Sequence, residues 1–280
     1  MRVLLLGGSG QLGSEIRARW TSDEIIAPPH EELDIEETSD LALALDAESP
    51  DLVVNCTAFH NVDVCVERTD RAFAVNALAV DRAAAFCEAR AIAFATISTD
   101  YVFNGNAATP YDENACPNPI SAYGASKLAG EQLVLRRAMK AYVVRTCGVY
   151  GVHTSQSKGT FVDRIVAQAR AGERPRVVND VIASPTYAGH LAVALRTLVS
   201  GAQYGLYHAC NVGPVSWYEF ASAALELAGI GAQIEPISAA QWKAPARRPA
   251  YSALANAKLA TLGIAMPTWR EGIAAYLRDK

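Results

Sequence analysis

A tyrosine and a lysine stand four residues apart in the segment SAYGASK, in which Tyr123 precedes Lys127. Residues i and i+4 share one face of a helix, and the segment 121–138 has helical periodicity with Ser121 as the expected N-cap. A phenol has an unperturbed pKa of about 10, and a nearby ammonium group lowers that pKa. Such a phenol can donate a proton to an oxygen that becomes an alkoxide when hydride arrives. The pair alone is not specific, because a tyrosine and a lysine fall four apart by chance in many helices.

A second group of polar residues follows an apolar, strand-like run in the segment ISTDYVFNG, residues 97–105. In a doubly wound sheet the carboxyl ends of the strands form the ligand crevice, so Ser98, Thr99 and Asp100 are expected beside a cleft. Their ordinary role would be to cap a turn or a helix. The alternative is that a hydroxyl group from this segment binds the same substrate oxygen as Tyr123.

A glycine-rich turn, GGSGQLG, lies between the first strand-like run and the first helical segment, with Gly7, Gly10 and Gly13 spaced three apart. Glycine permits a tight strand-to-helix turn, and the N–H groups at the start of the helix can then bind a pyrophosphate. A glycine pattern alone is weak, but its position after a strand and before a helix supports a dinucleotide site.

The second strand-like run ends in APPHEE, where an acidic residue would normally bind the adenosine ribose. An acid at this place would repel a 2′-phosphate, so its absence favours NADPH, and NADH is left open. We interpret His30 of this segment as an exposed loop residue.

Apolar runs of strand length alternate with segments of helical period along the first half of the chain. The predicted strands are 3–7, 24–28, 51–56, 92–98 and 141–147, and the predicted helices are 11–20, 38–47, 71–91 and 121–138. Strands that are apolar on both faces predict a parallel sheet covered on both sides, that is, an α/β doubly wound, Rossmann-like fold.

The regular alternation of strand-like and helical segments ends near residue 151, where prolines separate shorter elements. We therefore predict a dinucleotide-binding domain over 1–150 and a smaller C-terminal lobe, mainly for substrate binding, over 151–280. The segment RVVNDV (176–181) suggests that the chain returns to the main sheet between residues 176 and 200.

The composition excludes several classes of protein. The chain of 280 residues is 51% apolar, has a net charge of −4 and contains no block of Lys or Arg, so a nucleic-acid partner is not expected. Its six cysteines are scattered without a C-x-x-C pair, which favours reduced thiols and a cytoplasmic location. The apolar run in MRVLLLGGSG is too short to span a membrane.

Together, GGSGQLG, STDYVFNG and YGASKLAGE resemble the extended short-chain dehydrogenase/reductases, and within them the dTDP-4-dehydrorhamnose reductase family. The resemblance continues through SPTYAGHL (184–191), GLYHACNVGPVSWYEFA (205–221), RPAYSAL (248–254) and MPTWREGI (266–273), and so covers almost the whole chain. It implies NAD(P)H-dependent reduction of the C4 ketone of a nucleotide-linked 4-keto-6-deoxy sugar, above all dTDP-4-dehydro-L-rhamnose.

The resemblance also implies roles for individual residues. Tyr123 would donate the proton, Lys127 would bind the nicotinamide ribose and tune Tyr123, and Thr99 would contact the ketone oxygen with Asp100 beside the substrate. The residues implied for cofactor binding are Gly7, Gly10, Gln11, Leu12, Gly13, Asp34, Ile35, Ala58, Phe59, His60, Tyr123 and Lys127. For Arg248, contact with the substrate phosphates and a surface salt bridge are equally supported.

Two departures from the family pattern fall in the substrate region. RTCGVYG has Gly148 where the family often has a tryptophan near the sugar, and KGTF (158–161) replaces the family's GNNF. The reductase chemistry is therefore better determined than the sugar. Some family members use Mg²⁺ at acidic residues, but Glu15 lacks an evident set of acidic partners, so no metal is expected. For the assembly, a homodimer is considered.

Three alternatives remain at this stage. A sugar-nucleotide 4,6-dehydratase would have an acid after Asp100, where this chain has Tyr101. A 4-epimerase would keep its NAD bound and show no net redox change. A regulatory subunit like that of methionine adenosyltransferase would bind NADP without turnover, but the intact Tyr123 and Lys127 favour an enzyme.

Overall fold

The computed structural model describes residues 1–153 and 159–280, so Lys158 of the KGTF segment lies outside the described residues. The strands are β1 (Arg2–Leu6), β2 (Glu24–Ile26), β3 (Leu52–Asn55), β4 (Ala93–Thr99), β5 (Ala141–Thr146), β6 (Arg176–Val178), β7 (Ile182–Ala183), β8 (Gly205–His208), β9 (Val215–Ser216) and β10 (Glu235–Ile237). The helices are α1 (Gln11–Arg19), α2 (Thr38–Glu48), α3 (Val64–Glu67), α4 (Thr69–Phe73), α5 (Val80–Ala89), α6 (Ala122–Arg137), α7 (Phe161–Arg170), α8 (Ala188–Val199), α9 (Trp217–Leu227), α10 (Ala257–Thr261) and α11 (Trp269–Asp279). None of the helices in these described ranges is long and apolar enough to cross a membrane.

Six parallel strands form the central sheet in the order β2-β1-β3-β4-β5-β8. Successive residues of a strand face opposite sides, so Val3 and Leu5 pack in one apolar cluster while Leu4 and Leu6 pack in another. Residues of α1 and α8 complete the first cluster, and residues of α2, α5 and α6 complete the second. The predicted α/β doubly wound fold is therefore confirmed, and the strand order reverses between β1 and β3, where such sheets bind ligands.

The predicted helix 71–91 is helical, but its hydrogen bonding changes along its length. Residues Ala74–Ala79 form a π-helical segment between α4 and α5. This segment packs closely on α6, since a Cβ atom added at Gly130 would lie 2.2 Å from the carbonyl oxygen of Asn76. Hydrophobic periodicity does not distinguish an α-helix from a short π-helical turn, which commonly marks a functional site.

The C-terminal part of the chain contributes both to a separate lobe and to the main sheet. The lobe contains α7, α9, α11 and two small sheets, in which β6 pairs with β10 and β7 pairs with β9. The RVVNDV segment thus joins the lobe, because Val177 is buried against Ala221 and Leu225 of α9. The strand that returns to the main sheet is instead β8, which extends it beside β5.

Candidate active site

A cleft of about 670 Å³ lies at the carboxyl ends of β1, β3, β4 and β5. It brings together most residues that the sequence singled out. Those that line it are Gly7, Gly10, Gln11, Leu12, Asp34, Ile35, Ala58, Phe59, His60, Thr99, Asp100, Tyr123, Lys127 and Gly148. Gly13 and Arg248 do not line it.

The glycine-rich turn is shaped by close backbone contacts. Gly7 has φ +79°, and a Cβ atom added at Gly13 would lie 2.2 Å from the Gly7 carbonyl oxygen. Gly13 therefore allows α1 to start directly against the end of β1. The first turn of α1 has no capping side chain and no acidic residue, which leaves its N–H groups suited to an anion such as a pyrophosphate.

The loop that follows β3 is held by one buried amide that the sequence analysis missed. Asn76 in the π-helical segment is 1% exposed, accepts a hydrogen bond from Phe59 N at 2.8 Å and donates to Phe59 O at 3.0 Å. Its Nδ2 group also lies 3.0 Å from Ser126 Oγ of α6. The loop carrying Ala58 and His60 is thus fixed relative to the helix that carries Tyr123. A lone asparagine in the apolar run AFAVNALAV is the signal that could have identified it.

The end of the cleft next to β2 combines carboxylates with a cation. Asp34 and Glu36 line it, and Arg71, which also lines it, donates to Glu36 Oε1 at 2.6 Å. His30 is exposed and lies 3.6 Å from Asp34, as expected for a loop residue at the rim. Arg71 was not among the residues that the sequence singled out.

The start of α6 is packed on the turn after β4, which brings Tyr123 to Thr99. The expected N-cap is confirmed, because Ser121 Oγ accepts a hydrogen bond from Gly124 N at 3.1 Å. A Cβ atom added at Gly124 would lie 2.1 Å from the Tyr101 carbonyl oxygen, so only glycine permits this contact. Burial raises the pKa of Tyr123 well above its ordinary value, and a hydrogen bond with Thr99 opposes that rise. The phenol is therefore protonated at neutral pH and can serve as an acid.

Lys127 is 4% exposed and lies one helical turn beyond Tyr123. Its Nζ donates to the backbone carbonyl of Ile97 at 2.7 Å. Burial lowers the pKa of Lys127 to about 8, while the negative charge of Glu131 raises it. The lysine is thus a buried cation whose hydrogen-bond partner is a neutral carbonyl. That Lys127 lowers the pKa of Tyr123 stays a prediction.

Asp100 and Gly148 form the part of the cleft nearest the C-terminal lobe. The Asp100 carboxylate is 3% exposed and accepts hydrogen bonds from Thr99 Oγ1 at 3.1 Å and Cys147 Sγ at 3.2 Å. Burial raises the pKa of Asp100 to about 6. Gly148 has φ +50°, and a Cβ atom added there would lie 3.2 Å from the indole of Trp217 on α9. An aromatic ring of the lobe thus packs where a side chain at 148 would begin.

Arg248 lies outside the cleft lining and forms an ion pair. Its guanidinium donates to both carboxylate oxygens of Asp63, at 2.9 and 3.1 Å, and to Ala246 O at 3.1 Å. This is the salt bridge that the sequence analysis considered, and it joins the loop after β3 to the C-terminal lobe. A contact with substrate phosphates stays a prediction.

The surroundings of Glu15 do not fit the Mg²⁺ ion that the sequence analysis considered. Arg19 Nε lies 2.8 Å from Glu15, and Arg19 Nη2 lies 2.7 Å from Asp279 of α11. A guanidinium group therefore already joins these two carboxylates. Over the part of the chain that the structure describes, no group of three His, Cys, Asp or Glu side chains could hold a metal ion.

The chain is similar in sequence to known proteins over its full length. The chain matches the protein family described as RmlD substrate binding domain over residues 1–280. It is 33% identical to the dTDP-4-dehydrorhamnose reductase of Burkholderia thailandensis over 298 residues, which cover 100% of this chain and 99% of the relative. It is 35% identical to a probable dTDP-4,6-dihydroxy-2-methyloxan-3-one 4-ketoreductase of Streptomyces antibioticus over 287 residues, 100% of this chain and 95% of the relative.

A solved structure is also similar over the full length. The crystal structure of dTDP-4-dehydrorhamnose reductase from Bacillus anthracis in complex with NADP has a TM-score of 0.95 and 33% sequence identity, and the match covers 100% of this chain and 99% of that one. The chain therefore belongs to the RmlD substrate binding domain family.

Proposed function

We propose that this protein is an NADPH-dependent reductase of the C4 ketone of a dTDP-linked 4-keto-6-deoxy sugar, with dTDP-4-dehydro-L-rhamnose as the first candidate substrate and dTDP-L-rhamnose as the product. The observation that carries the proposal is the convergence of Thr99, Tyr123 and Lys127 in a cleft that begins with a glycine-rich turn. The relatives named as reductases of dTDP-linked ketosugars, and the neighbour that binds NADP, support the same reaction.

Reduced nicotinamide would supply the hydride that adds to C4 of the sugar. The turn at Gly7–Gly13 and the N-terminus of α1 would hold the pyrophosphate, and the loop anchored by Asn76 would line the cofactor. Tyr123 would transfer its phenolic proton to O4 as the C–O double bond becomes a single bond. Lys127 would stabilise the phenolate that remains, and Thr99 would orient O4 through its hydroxyl group.

For the cofactor, we propose NADPH in preference to NADH. Strand β2 ends at Ile26 and leads into APPHEE without an acid at its first four positions, so the carboxylates at this end of the cleft are Asp34 and Glu36, further along the loop. Arg71 at the same end of the cleft is a cation that can exchange Glu36 for a phosphate group. NADH remains the alternative cofactor, with Asp34 and Glu36 as acceptors for ribose hydroxyl groups.

Residues 151–280 mainly form the proposed substrate-binding lobe. Gly148 and Asp100 line the cleft, Trp217 of the lobe packs against Gly148, and Arg248 is the candidate for the substrate phosphates. The cysteines of the described residues are unpaired, which suits a reducing compartment, and we place the enzyme in the cytoplasm. A homodimer is the proposed assembly, which light scattering of the purified protein can measure.

The test is a coupled assay with the purified protein. dTDP-glucose is converted by partner enzymes to 4-keto-6-deoxy intermediates, and the protein is added with NADPH or, in parallel, with NADH. We expect loss of reduced cofactor that depends on the ketosugar, and NMR of the product should show a hydroxyl group at C4. Binding of NADPH without its oxidation would refute the proposal, and so would conversion of the sugar without net oxidation of cofactor.

A further inference from the structure

Helix α6 carries a third polar residue on the face that holds the proposed catalytic pair. Glu131 lies four residues after Lys127, just as Lys127 lies four residues after Tyr123. A glutamate and a lysine at this spacing normally form an ion pair on a helix. Here both side chains are buried, Lys127 at 4% and Glu131 at 2% exposure, where such a pair would be strong.

Glu131 instead binds Arg145 on the neighbouring strand β5. The guanidinium meets both carboxylate oxygens, with Nη2–Oε2 at 2.6 Å and Nε–Oε1 at 2.9 Å. Ser98 Oγ, which is opposite Arg145 in the pairing of β4 and β5, donates a further hydrogen bond to Oε1. Each oxygen of the carboxylate is therefore engaged by Arg145, and one of them also by Ser98.

Arg145 is held in place from its other side. His208 Nδ1 lies 3.1 and 3.2 Å from the carbonyl oxygens of Tyr111 and Ala255, which can only accept, so this nitrogen carries the hydrogen. Burial and the charge of Arg145 lower the pKa of His208 to about 3, so the ring is neutral at pH 7 and its other nitrogen, Nε2, is an acceptor that faces Arg145 Nη1 at 3.4 Å. Arg145 also lies over the ring of Phe103, 5.2 Å from its centroid. The guanidinium is thus fixed toward Glu131.

The consequence appears at Lys127. Within residues 1–153 and 159–280 it forms no ion pair, and its ammonium group binds the carbonyl of Ile97 at 2.7 Å. Ile97 and Ser98 are adjacent, so the strand that receives Lys127 is the one that Glu131 anchors. We propose that Arg145 is a positioning residue that sequesters Glu131, and so leaves the Lys127 ammonium free to bind the cofactor and Tyr123.

This inference rests on the proposed function, because it assumes that Lys127 binds NADPH. If Arg145 were neutral, Glu131 would be a buried carboxylate without a cation, and Lys127 is the cation one turn away. The resulting pair would hold the ammonium away from the cofactor. If Glu131 alone were neutral, Arg145 would be an uncompensated charge near Lys127 and would favour the neutral amine.

The other ionisable groups around Lys127 are neutral or already hydrogen-bonded, so the charges that act on Lys127 are those of Arg145 and Glu131. Cys56, at the end of β3, has its pKa raised to about 12 by burial and stays neutral. Tyr123 on α6 also stays neutral because burial raises its pKa. Asp100, which follows β4, is engaged by Thr99 and Cys147.

The experiment compares the full-length wild type with Glu131→Gln, Arg145→Met and the double variant Glu131→Gln/Arg145→Met. NADPH binding is followed by nicotinamide fluorescence over a pH series without sugar, and kcat is measured with the ketosugar over the same series. Arg137→Met is the matched control, because Arg137 is on the same helix in an exposed pair with Asp81. Thermal unfolding is recorded for each protein.

In the wild type, NADPH affinity should fall as the pH rises through the Lys127 pKa of about 8, because the ammonium is lost. We expect that midpoint to move down by about one pH unit in Glu131→Gln and up by about one unit in Arg145→Met, since a nearby charge shifts a pKa by at least that much. Arg145→Met should also bind NADPH more weakly at neutral pH. The pH midpoint of NADPH binding should equal the wild-type value both in the double variant and in Arg137→Met.

A purely structural ion pair would lower the melting temperature without moving the midpoints in opposite directions. Midpoints that stay fixed, that move in the same direction, or that are not restored in the double variant would overturn the inference. If Arg145→Met does not fold, Glu131→Gln decides the question, because an unshifted midpoint there contradicts the proposal. If the wild type binds NADPH but reduces no ketosugar, the proposed function fails, and the binding series still tests Arg145.

Discussion

Replacing Tyr123 by phenylalanine removes the proposed proton donor and little else. The ring would keep its edge-to-face contact with Tyr101, whose centroid is 5.8 Å away, so the start of α6 should retain its packing. One hydrogen bond with Thr99 is lost, which costs about 1 kcal/mol of stability. General acid catalysis typically contributes roughly 10²–10⁴-fold, so we expect kcat for ketosugar reduction to fall by that factor, about 3–5 kcal/mol in activation free energy.

Two measurements on the Tyr123→Phe protein separate catalysis from binding. Steady-state reduction of the ketosugar gives kcat, and fluorescence titration gives the NADPH dissociation constant, which should change by less than about tenfold, the equivalent of one lost hydrogen bond. Tyr204→Phe, which removes the hydroxyl group of an exposed tyrosine beyond α8, is the matched control for loss of a phenol. Unchanged kcat would refute the assignment of Tyr123 as the acid. Weaker NADPH binding with an unchanged kcat would make Tyr123 a binding residue instead.

Three further predictions follow from the structure. Gly13→Ala would place Cβ 2.2 Å from a backbone oxygen, so stability should fall by about 1–3 kcal/mol and NADPH affinity with it, whereas Gly231→Ala, which has no atom within 4 Å of its added Cβ, should match the wild type in thermal unfolding and titration. Gly148→Ala, at φ +50°, should lower the free energy of unfolding by about 1–2 kcal/mol and raise the KM for the ketosugar more than the KM for NADPH. If both KM values rise by the same factor, this position is not part of the sugar site. Because Arg19 already joins the carboxylates of α1 and α11, EDTA should not change the rate, and a loss that Mg²⁺ restores would contradict this.

The sequence predicted most of the main sheet because β1, β3, β4 and β5 are largely buried on both faces. The five predicted strand runs became β1 to β5, and each observed end lies within two residues of its predicted position. The sixth strand, β8, was missed because its sequence, GLYH, offers only two apolar residues between a glycine and a histidine. RVVNDV has the stronger strand pattern, but pairing partners are decided by tertiary packing, and it joined the lobe.

Local spacing predicted which site residues share a face, but not which atoms they bind. Tyr123 and Lys127 do lie on one face of α6, yet the partner of Lys127 is the carbonyl of Ile97, which a sequence pattern cannot indicate. Asp63 and Arg248 are 185 residues apart, so their ion pair depends on how the lobe docks. Asn76 was missed for the same reason, since its role is to bind the backbone of another loop.

The central claim is that hydride passes directly to C4 of the sugar in this cleft. NADPH deuterated at C4 of the nicotinamide, in each of its two stereoisomers, should be incubated with the ketosugar and the purified protein. We predict that one stereoisomer transfers its deuterium to C4 of the product sugar, as seen by NMR, and that the other does not. Product without deuterium from either stereoisomer, or label elsewhere on the sugar, would contradict the account.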